Sequence, residues 1–353
     1  MTLYPDPQKK RTMKNRILYT IFIFFSITIL TLIPSCQNRS KIDKKNKGNI
    51  VFEKVTNLQL DTLEHAQIIE FIPIGEDSYV LTDGIRIFKT DSTGAVVKHI
   101  NKQGHGKDEY LKIEKLFSNG HNIYAWCGGS LQLYKYDMDL NHICKYQGIH
   151  HAIRKFVVSE NNTAYFLLSG GFDEVIGVLS LENDNLQPYL DSYSNEDNAL
   201  LLNGISGGIT IFNDKIKYVK PSKMEIHDVD HSEVLAIDDK DFFVSPLYIK
   251  QENRSSEEML QYILSNSICS GLFGDADRLW LITETGFISQ NSEGTLAYND
   301  RFLNLHKIDN DGQVVFSSMY QYPVNAVNYS IFKNVLHILF MEEESYNIKR
   351  HLL

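Results

Sequence analysis

The residues best suited to ligate a metal lie in the segment His227-Asp-Val-Asp-His231. Imidazole nitrogens and carboxylate oxygens are common metal ligands, and two histidines four residues apart share one face of a helix. On a strand, the same spacing separates them by roughly 13 Å, at about 3.3 Å per residue. The segment continues a predicted strand into its turn, so we expect no joint site there. His150 and His151 point to opposite sides of an extended chain, which also disfavours a shared ligand.

Three acidic turns bring carboxylates close together in sequence: Asp137-Met-Asp139, Asp275-Ala-Asp277 and Asp309-Asn-Asp311-Gly312. A calcium loop of the EF-hand type needs ligands over about twelve residues and ends in a bidentate glutamate. None of the three turns has this arrangement. Turn geometry explains them, because Asp and Asn tolerate left-handed backbone and hydrogen-bond locally. We therefore predict no metal and no cofactor.

The sequence contains neither a His-Glu-x-x-His pair nor a Walker loop. Both motifs keep a fixed local spacing because one helix or one loop carries all of their reacting groups. Carboxylate pairs that hydrolyse glycosides leave no such spacing when each member comes from a different repeat. The catalytic residues, if the protein is an enzyme, are therefore not readable from the sequence.

One pattern recurs three times, as Ile85–Asp91, Leu131–Asp137 and Leu303–Asp309. Each copy reads apolar, polar, apolar, ring, lysine, spacer, aspartate. The period of two predicts a strand, and the terminal aspartate predicts a turn. Repetition at this spacing is typical of architectures that stack or close sibling modules.

A second pattern, a polar turn followed by a short strand with an aromatic residue, recurs six times. Its copies are Glu76–Leu81, His121–Trp126, Asn161–Leu167, Asn213–Val219, Asp277–Ile282 and Lys333–Leu339. Each copy lies within a unit of four short strands joined by tight turns, which is the blade of a β-propeller. We therefore predict an all-β fold, a six-bladed β-propeller with four-stranded antiparallel blades, over residues 50–353.

The ends of this region predict how the ring closes. The sixth unit lacks an outermost strand, because the chain ends soon after Tyr346–Arg350. Ile50–Val55 is a predicted strand that belongs to no unit. We expect it to complete the last blade, so that backbone hydrogen bonds between the two ends seal the ring.

The segment Asp241–Ser270 is longer than a turn requires. Within it, Ser255-Ser-Glu-Glu258 matches a capping box, and Met259, Leu260, Ile263 and Leu264 would form the apolar stripe of a short helix. Two interpretations remain open. The insertion either covers the edge of a blade or forms a lid over one end of the central channel.

The N-terminus has the features of a signal peptide. Lys14 and Arg16 precede the mainly apolar run Ile17–Ile33, and a small residue precedes Cys36. A basic region, an apolar region and a small residue at the cleavage site are what signal peptidases recognise. Ser35-Cys36 resembles the lipobox of bacterial lipoproteins, which implies cleavage after residues 1–35 and diacylation of Cys36. The alternative is an uncleaved signal anchor with an incidental cysteine.

Residues 36–49 are polar and basic, a composition that buries no core and predicts a flexible tether between lipid and domain. The basic character favours an outer-membrane lipoprotein that faces the periplasm. Met13 is an alternative initiator to Met1, because it would open the basic region directly.

Three cysteines remain after the lipidation site. An odd number in an oxidising compartment leaves at least one thiol unpaired. We expect Cys127 and Cys144 to lie on neighbouring strands of one repeat, where a disulfide is possible. Buried free thiols are the alternative.

Composition excludes some partners. The formal net charge is −9 over 353 residues, with 22% charged and 43% hydrophobic residues. A nucleic-acid-binding domain would present a basic surface, so we predict no nucleic-acid partner. The hydrophobic content is sufficient for a core of ordinary size.

One segment resembles a known family. Bacterial lipoproteins that form six-bladed β-propellers, related to the TolB-like and NHL-repeat propellers, carry a Gly-x-Gly-Pro-Gly-Glu-aromatic run between their first blades. This chain matches the run at Gly104, Gly106, Glu109 and Tyr110, while Lys107-Asp108 replaces the usual Pro-Gly. The resemblance implies the same fold, and we expect the two glycines to need positive φ at a tight crossover.

These observations predict a lipid-anchored envelope propeller that binds a ligand or a partner protein, with an envelope protein or a glycan as candidates. Loops from every blade surround one channel mouth, which suits recognition. The alternative is a propeller enzyme, a lyase or hydrolase that acts on a glycan or lactone at the channel mouth. Clustered His, Asp or Glu residues around the axis would favour catalysis, and an aromatic, uncharged funnel would favour binding.

Overall fold

In the structure, a computed structural model, most of the described residues lie in strands. The residues that the structure describes are 46–48, 50–60, 66–147, 150–169, 174–183, 185–189, 191–202, 205–230, 233–239, 242–244, 262, 266–275, 278–290, 296–321, 325–342 and 345–353. Within these ranges, no helix is both long enough and apolar enough to cross a bilayer.

The strands form six sheets that follow one another along the chain, each of them one blade. The first two strands, β1 (Asn46–Gly48) and β2 (Lys54–Leu58), join the last two blades. Blade 1 contains β3 (Glu70–Pro73), β4 (Tyr79–Thr82), β5 (Arg86–Thr90) and β6 (Val96–Asn101). Blade 2 contains β7 (Ile113–Ser118), β8 (Asn122–Cys127), β9 (Gln132–Asp137) and β10 (His142–Tyr146). Blade 3 contains β11 (Ile153–Val158), β12 (Thr163–Leu168), β13 (Ile176–Ser180) and β14 (Asn185–Tyr189).

The second half of the chain repeats this order. Blade 4 contains β15 (Gly208–Phe212), β16 (Lys215–Val219), β17 (Glu225–Asp228) and β18 (Val234–Ala236). Blade 5 contains β19 (Ser267–Asp275), β20 (Arg278–Gln290), β21 (Leu296–Ile308) and β22 (Val314–Gln321). Blade 6 contains β23 (Ala326–Phe332), β24 (Val335–Glu342) and β25 (Ser345–Leu352). Consecutive strands within each blade are paired and antiparallel.

Burial decreases from the second strand of a blade to its outer edge. In β8, every residue after Asn122 is buried, whereas β6 alternates between half-buried and exposed residues. The second strand is covered on both faces by neighbouring blades, so it needs apolar residues at every position. The edge strand meets solvent, and an alternating pattern is sufficient there.

The recurring aspartates close the turns in the way that the sequence predicts. The Asp137 Oδ1 atom accepts hydrogen bonds from the backbone N–H groups of Asp139 (2.9 Å) and Asn141 (2.8 Å). Asp309 makes the same bonds with Asp311 and Gln313. A hydrogen bond from the Asn141 side-chain amide to Asp137 Oδ2, at 2.7 Å, and the backbone bonds to Oδ1 together hold the pKa of Asp137 below its usual value. The turn explanation is confirmed for these two acidic turns, and part of the third lies outside the described residues.

Six clusters of buried apolar side chains hold the blades together. One cluster lies between each pair of successive blades, and the sixth joins blade 6 to blade 1. Trp126 of blade 2 packs against Phe166 of blade 3, for example, with ring centroids 6.1 Å apart. A blade buries its faces only against its neighbours, so the clusters require a closed ring.

Pairing between the two ends of the domain confirms the predicted closure. β2 is antiparallel to β25, with Asn57 opposite Asn347, and it supplies the fourth strand of blade 6. The strand begins four residues later than the predicted Ile50–Val55. Phe52 lies outside the ladder and packs edge-to-face on Phe340, with ring centroids 5.5 Å apart. The strands from β2 to β25 thus form a closed ring of six blades.

An ion cluster reinforces the same junction. The Asp77 carboxylate, in the β3–β4 turn of blade 1, lies 2.5 Å from Lys54 Nζ and 2.7 Å from Arg350 Nη1. Arg350 also donates a hydrogen bond to the Glu76 carbonyl oxygen at 2.8 Å. Lys54 belongs to β2 and Arg350 to β25, so one carboxylate connects both chain ends to the first blade.

The N-terminal segment makes a further pairing. β1 runs parallel to β22, with Asn46 opposite Ser318 and Gly48 opposite Tyr320, and it becomes a fifth strand of blade 5. These three residues belong to the segment 36–49 that was predicted to be a tether. Backbone pairing of this kind needs no apolar side chains, so composition alone does not reveal it.

The helix α1 (Asn195–Leu202) was not predicted, although its sequence contains a start signal. Ser194 Oγ accepts a hydrogen bond from the Asp197 N–H at 3.1 Å, and Asp197 Oδ2 accepts one from the Ser194 N–H at 3.0 Å. This reciprocal pair is a capping box with Asp in place of Glu. The local S-x-x-D spacing was therefore a usable signal.

The helix predicted within the insertion lies outside the described residues, apart from Tyr262. That side chain is buried and packs against Ala199, Leu200 and Ile268. Tyr262 thus connects the insertion to helix α1 and to the first strand of blade 5. The choice between an edge cover and a lid stays open.

The prediction that Cys127 and Cys144 lie on neighbouring strands is wrong. Cys127 lies on β8 and Cys144 on β10, and β9 separates them in the sheet. Two strand spacings amount to about 10 Å, which exceeds the roughly 7 Å that a disulfide spans between Cα atoms. Both are free thiols, as is Cys269.

The expected reason for the glycines in the Gly104–Tyr110 segment is also wrong. Neither Gly104 nor Gly106 has positive φ. Instead, Glu109 folds back over them, and its Oε2 atom accepts a hydrogen bond from the Gly106 N–H at 2.7 Å. A Cβ atom on Gly104 would lie 2.1 Å from that oxygen. Close approach of a carboxylate therefore explains the glycine at this position.

Candidate functional site

A central cavity of about 760 Å³ lies between the innermost strands of the six blades. Each of these strands, β3, β7, β11, β15, β19 and β23, contacts the corresponding strand of both neighbouring blades. All six contribute to the lining. The cavity is therefore the channel that a ring of blades leaves along its axis.

β-Bulges decide which side chains enter the channel. The pairing register shifts at one place in four of the innermost strands, at Glu114 in β7, Arg154 in β11, Ser270 in β19 and Val327 in β23. A bulge inserts an extra residue and redirects the side chains beside it. The repeated register shift brings Lys115, Lys155 and Asn328 to equivalent positions along their strands.

Glu70 of blade 1 is the centre of a polar network in the channel. Its Oε2 atom lies 2.9 Å from Lys115 Nζ, and its Oε1 atom accepts a hydrogen bond from Asn328 Nδ2 at 3.1 Å. The negative charge of Glu70 raises the pKa of Lys115. The network thus ties blade 2 and blade 6 to blade 1 and keeps Lys115 protonated.

Lys155 of blade 3 has a different environment. Its ammonium group donates a hydrogen bond to the Ser270 carbonyl oxygen at 2.7 Å and lies 6.0 Å from the centre of the Phe273 ring. Desolvation, helped by the positive charge of Lys115, lowers the pKa of Lys155 to about 8. Among the described residues, no carboxylate lies within 4 Å of this ammonium group.

A hydroxyl cluster lies across the channel on blades 5 and 6. The Tyr329 hydroxyl hydrogen-bonds with Ser270 Oγ at 2.5 Å and with Glu284 Oε1 at 3.0 Å. Glu284 is 4% exposed, so its carboxylate contacts the channel chiefly through the tyrosine. Gly271 makes room for the neighbouring rings, because a Cβ atom there would lie 2.6 Å from Phe273 Cε2.

Apolar side chains make up about half of the cavity wall. Ile72, Phe117, Phe273 and Phe332 line the cavity and are half-buried, so part of each side chain is open to the channel. A cavity with apolar walls and a few converging polar groups is the usual form of a small-molecule site.

The residues proposed from sequence do not form a site in the described part of the protein. His227 stacks on Tyr218, with ring centroids 4.9 Å apart, and His231 lies outside the described residues. His150 is exposed and its neighbour is half-buried. The described residues contain no group of three potential metal ligands. Cys36, the predicted lipidation site, also lies outside the described ranges.

The sequence analysis missed the channel lysines, but the sequence does contain a signal. The bulged strands β7 and β11 begin Ile113-Glu-Lys115 and Ile153-Arg-Lys155, two charged residues after an isoleucine in corresponding blades. A strand that is otherwise buried has no need of adjacent charges unless one of them enters a channel.

A serine pattern was also passed over. Residues 204–208 read Gly-Ile-Ser-Gly-Gly, the spacing of a nucleophile elbow, and Ser206 lines the cavity. A nucleophile elbow leads from a strand into a helix. Here Ser206 and Gly207 lie directly before β15, so a strand follows the serine where an elbow would have a helix. Gly207 has a φ of 64° and turns the chain into blade 4.

Comparison with known proteins rests on structure alone. No protein-family model matches the sequence, and no curated protein matches it significantly. A protein described as exported, from Bacteroides fragilis, is 12% identical with a TM-score of 0.58, over 88% of this chain and 97% of that one. A member of the DUF4221 family from Bacteroides vulgatus is 10% identical with a TM-score of 0.60, over 87% and 98%. The chain is a six-bladed β-propeller.

At these identities the likeness shows the fold of the propeller and nothing about its ligand. Virginiamycin B lyase from Staphylococcus aureus is also similar, at 11% identity and a TM-score of 0.46, over 85% of this chain and 99% of that one. That score is too low for its activity to bear on this propeller.

Proposed function

We propose that the propeller is a lipid-anchored protein of the cell envelope that binds a ligand in its central channel. The observation that carries the proposal is the cavity of about 760 Å³, whose lining is about half apolar and half polar, with inward-facing charged and hydroxyl groups. Ligand pockets commonly have volumes of roughly 300–1,000 Å³ and combine apolar surface with a few placed polar groups. The polar groups come from five different blades, so the closed ring holds them in place.

The N-terminal sequence supports the anchoring. A signal peptide over 1–35, lipidation at Cys36 and a tether over 36–49 would hold the domain 50–353 at the outer membrane, facing the periplasm. The structurally similar Bacteroides fragilis protein is described as exported. The relation to TolB-like and NHL-repeat propellers belongs to the same proposal, as does an envelope protein or glycan as the natural partner.

The second candidate is an enzyme, a lyase or hydrolase that acts on a glycan or lactone. Lys155 favours it, because a lysine whose pKa is lowered to about 8 carries an appreciable fraction of neutral amine near neutral pH. Turnover of such a substrate, abolished by Lys155→Met, would establish this candidate in place of simple binding.

The binding proposal is tested by blocking the channel. Val327 lines the cavity and is 42% exposed, so Val327→Trp would fill the channel without displacing a buried side chain. The matched control is Val97→Trp, at a 56% exposed valine on the outer strand β6. The probe is N-phenyl-1-naphthylamine, a neutral dye that fluoresces in apolar sites. We expect saturable binding that Val327→Trp abolishes and Val97→Trp preserves; equal binding by all three proteins would refute a channel site.

The anchor is tested separately in cells. Metabolic labelling with an alkyne-bearing fatty acid should mark the wild-type protein and leave Cys36→Ser unmarked. Equal labelling of both proteins would contradict lipidation at this cysteine.

A further inference from the structure

We propose that the channel selects an organic anion, with a carboxylate or phosphate head held between Lys115 and Lys155 and an apolar body along the channel wall. This inference deepens the proposed function and rests on it, because it assumes that a ligand enters the channel. It is argued from the placement of the lysines, the balance of charge around them and the character of the wall.

The two lysines occupy equivalent places in adjacent blades. Lys115 and Lys155 each follow a bulged residue by one position, and each pairs with the second strand of its blade, opposite Trp126 and Leu167 respectively. β7 contacts β11 directly. Equivalent residues of adjacent innermost strands direct their side chains towards the same axis. The Lys115 ammonium group contacts Glu70 of blade 1 and the Lys155 ammonium group contacts the Ser270 carbonyl oxygen of blade 5, so an oxyanion bound between them would lie near the axis.

Among the described residues, no carboxylate lies within 4 Å of Lys155, although the channel lining carries two charges of each sign, Glu70 and Glu284 against Lys115 and Lys155. Both carboxylate oxygens of Glu70 are engaged, one by Lys115 and the other by Asn328. The bulged residues beside the two lysines, Glu114 and Arg154, carry opposite charges, and Arg154 donates a hydrogen bond to the Leu201 carbonyl oxygen. A positive charge out of water is costly without a counter-charge. An anion bound beside Lys155 would supply that counter-charge.

The other charged group that lines this part of the channel is Glu284, on the blade 5 side. Its Oε1 atom is hydrogen-bonded to the Tyr329 hydroxyl, which in turn contacts Ser270. Glu284 is buried behind that hydroxyl cluster and is not within 4 Å of Lys155. The head of an anionic ligand would therefore face Lys115 and Lys155, with the Glu70 carboxylate already neutralised by Lys115.

The walls argue for an apolar body on the ligand. Phe117 and Phe273 are half-buried and line the cavity, the Phe273 ring lies 6.0 Å from the Lys155 ammonium group, and Ile72 lines the wall of blade 1. Aliphatic and aromatic surfaces recognise hydrocarbon or ring-shaped groups through area removed from water. A fully polar anion would leave this surface wet, so inorganic phosphate alone should bind weakly.

The experiment compares decanoate with decanol as competitors for N-phenyl-1-naphthylamine. The two compounds share a ten-carbon chain and differ in the charge of the head, so their ratio isolates the contribution of the lysines. We expect decanoate to displace the dye at a concentration about 10- to 100-fold lower than decanol, since charge-assisted hydrogen bonds contribute at this level. Decyl phosphate should share the preference, and inorganic phosphate should not displace the dye.

Three variants test whether Lys155 causes the preference for decanoate over decanol. Lys155→Met should reduce this preference to about threefold or less. Lys155→Arg should retain most of it because the positive charge is kept. Lys107→Met, at an exposed lysine outside the cavity lining, is the control and should behave as wild type. The unfolding midpoint of Lys155→Met should be no lower than that of wild type, because the substitution removes a desolvated charge.

The pH dependence of the preference for decanoate tests the role of Lys155 independently. As pH rises through about 8, Lys155 loses its proton and with it the attraction for an anion. The preference for decanoate should therefore decline above that pH, whereas the affinity for decanol should not change. Lys115, kept protonated by Glu70, should hold part of the preference at higher pH.

The outcomes separate this inference from the proposed function. Equal displacement by decanoate and decanol, or an unchanged preference in Lys155→Met, would overturn the anion site while leaving a channel that binds apolar molecules. Dye binding that survives Val327→Trp would overturn the channel site itself, and the anion site with it.

Discussion

Replacing Asp77 by asparagine should weaken the junction that closes the ring. The substitution keeps the side-chain shape but removes the charge that lies 2.5 Å from Lys54 Nζ and 2.7 Å from Arg350 Nη1. The Asp77 and Arg350 side chains are only 16% and 19% exposed, so solvent screens their attraction incompletely. Exposed ion pairs contribute below about 1 kcal/mol, and breaking a buried pair costs about 3–5 kcal/mol. We expect an intermediate loss of about 2 kcal/mol for this partly buried cluster.

The free energy of unfolding is measured by urea titration, with the fluorescence of Trp126 and Trp280, both buried, as the signal. In a domain of this size, a loss of about 2 kcal/mol lowers the melting temperature by roughly 3 °C. The matched control is Asp139→Asn, which removes another inter-blade ion pair, with Lys89 at 2.8 Å. The Asp139 side chain is 76% exposed, so this variant should lose less than about 1 kcal/mol.

A double-mutant cycle distinguishes the ion pair from other effects at the junction. Arg350→Met should reduce the cost of Asp77→Asn, because the less exposed of the two partner charges is then already absent and only the pair with Lys54 remains. If the two variants were additive, or if Asp77→Asn and Asp139→Asn lost the same stability, the reasoning about closure would be refuted.

Three further predictions concern pH, packing and thiols. Burial lowers the pKa of His337 to about 4 from an ordinary 6.5, so the unfolded state binds the proton more strongly and stability is lost as pH falls from 6.5 to 4. This residue should make the free energy of unfolding about 2 kcal/mol lower at pH 5 than at pH 7 in urea titrations. His337→Phe should remove that difference. Gly104→Ala should cost about 1 kcal/mol by displacing the Glu109 carboxylate, and it should cost almost nothing in a Glu109→Ala background. Iodoacetamide should label the half-buried Cys144 of the folded protein faster than the two buried cysteines, and equal rates for all three would contradict the assigned burial.

The sequence predicted those parts of the fold that depend on neighbours along the chain. A strand that ends in Asp137 is readable because the turn is closed by hydrogen bonds to residues two and four positions later. Six copies of the aromatic strand then predict the number of blades. The unpaired N-terminal strand predicts the closure, although Phe52 packs outside the ladder and shifts its start.

The parts that were missed depend on the order of strands and on contacts between blades. Cys127 and Cys144 are close in sequence, yet β9 lies between their strands. The role of Gly104 depends on where the Glu109 side chain folds, which spacing does not reveal. The channel site joins residues as distant as Glu70 and Asn328, so no local pattern includes both.

Chemical labelling tests occupancy of the channel most directly. Pyridoxal 5′-phosphate is an anionic, ring-shaped aldehyde that condenses with neutral amines, and borohydride reduction makes the bond permanent for mapping by mass spectrometry. At pH 7.5, a lysine with a pKa of about 8 has roughly two hundred times more neutral amine than an ordinary lysine. We predict that Lys155 is the dominant site, that decanoate protects it and that Val327→Trp abolishes its labelling. Labelling spread over exposed lysines such as Lys107 and Lys223, unaffected by decanoate, would contradict a ligand site in the channel.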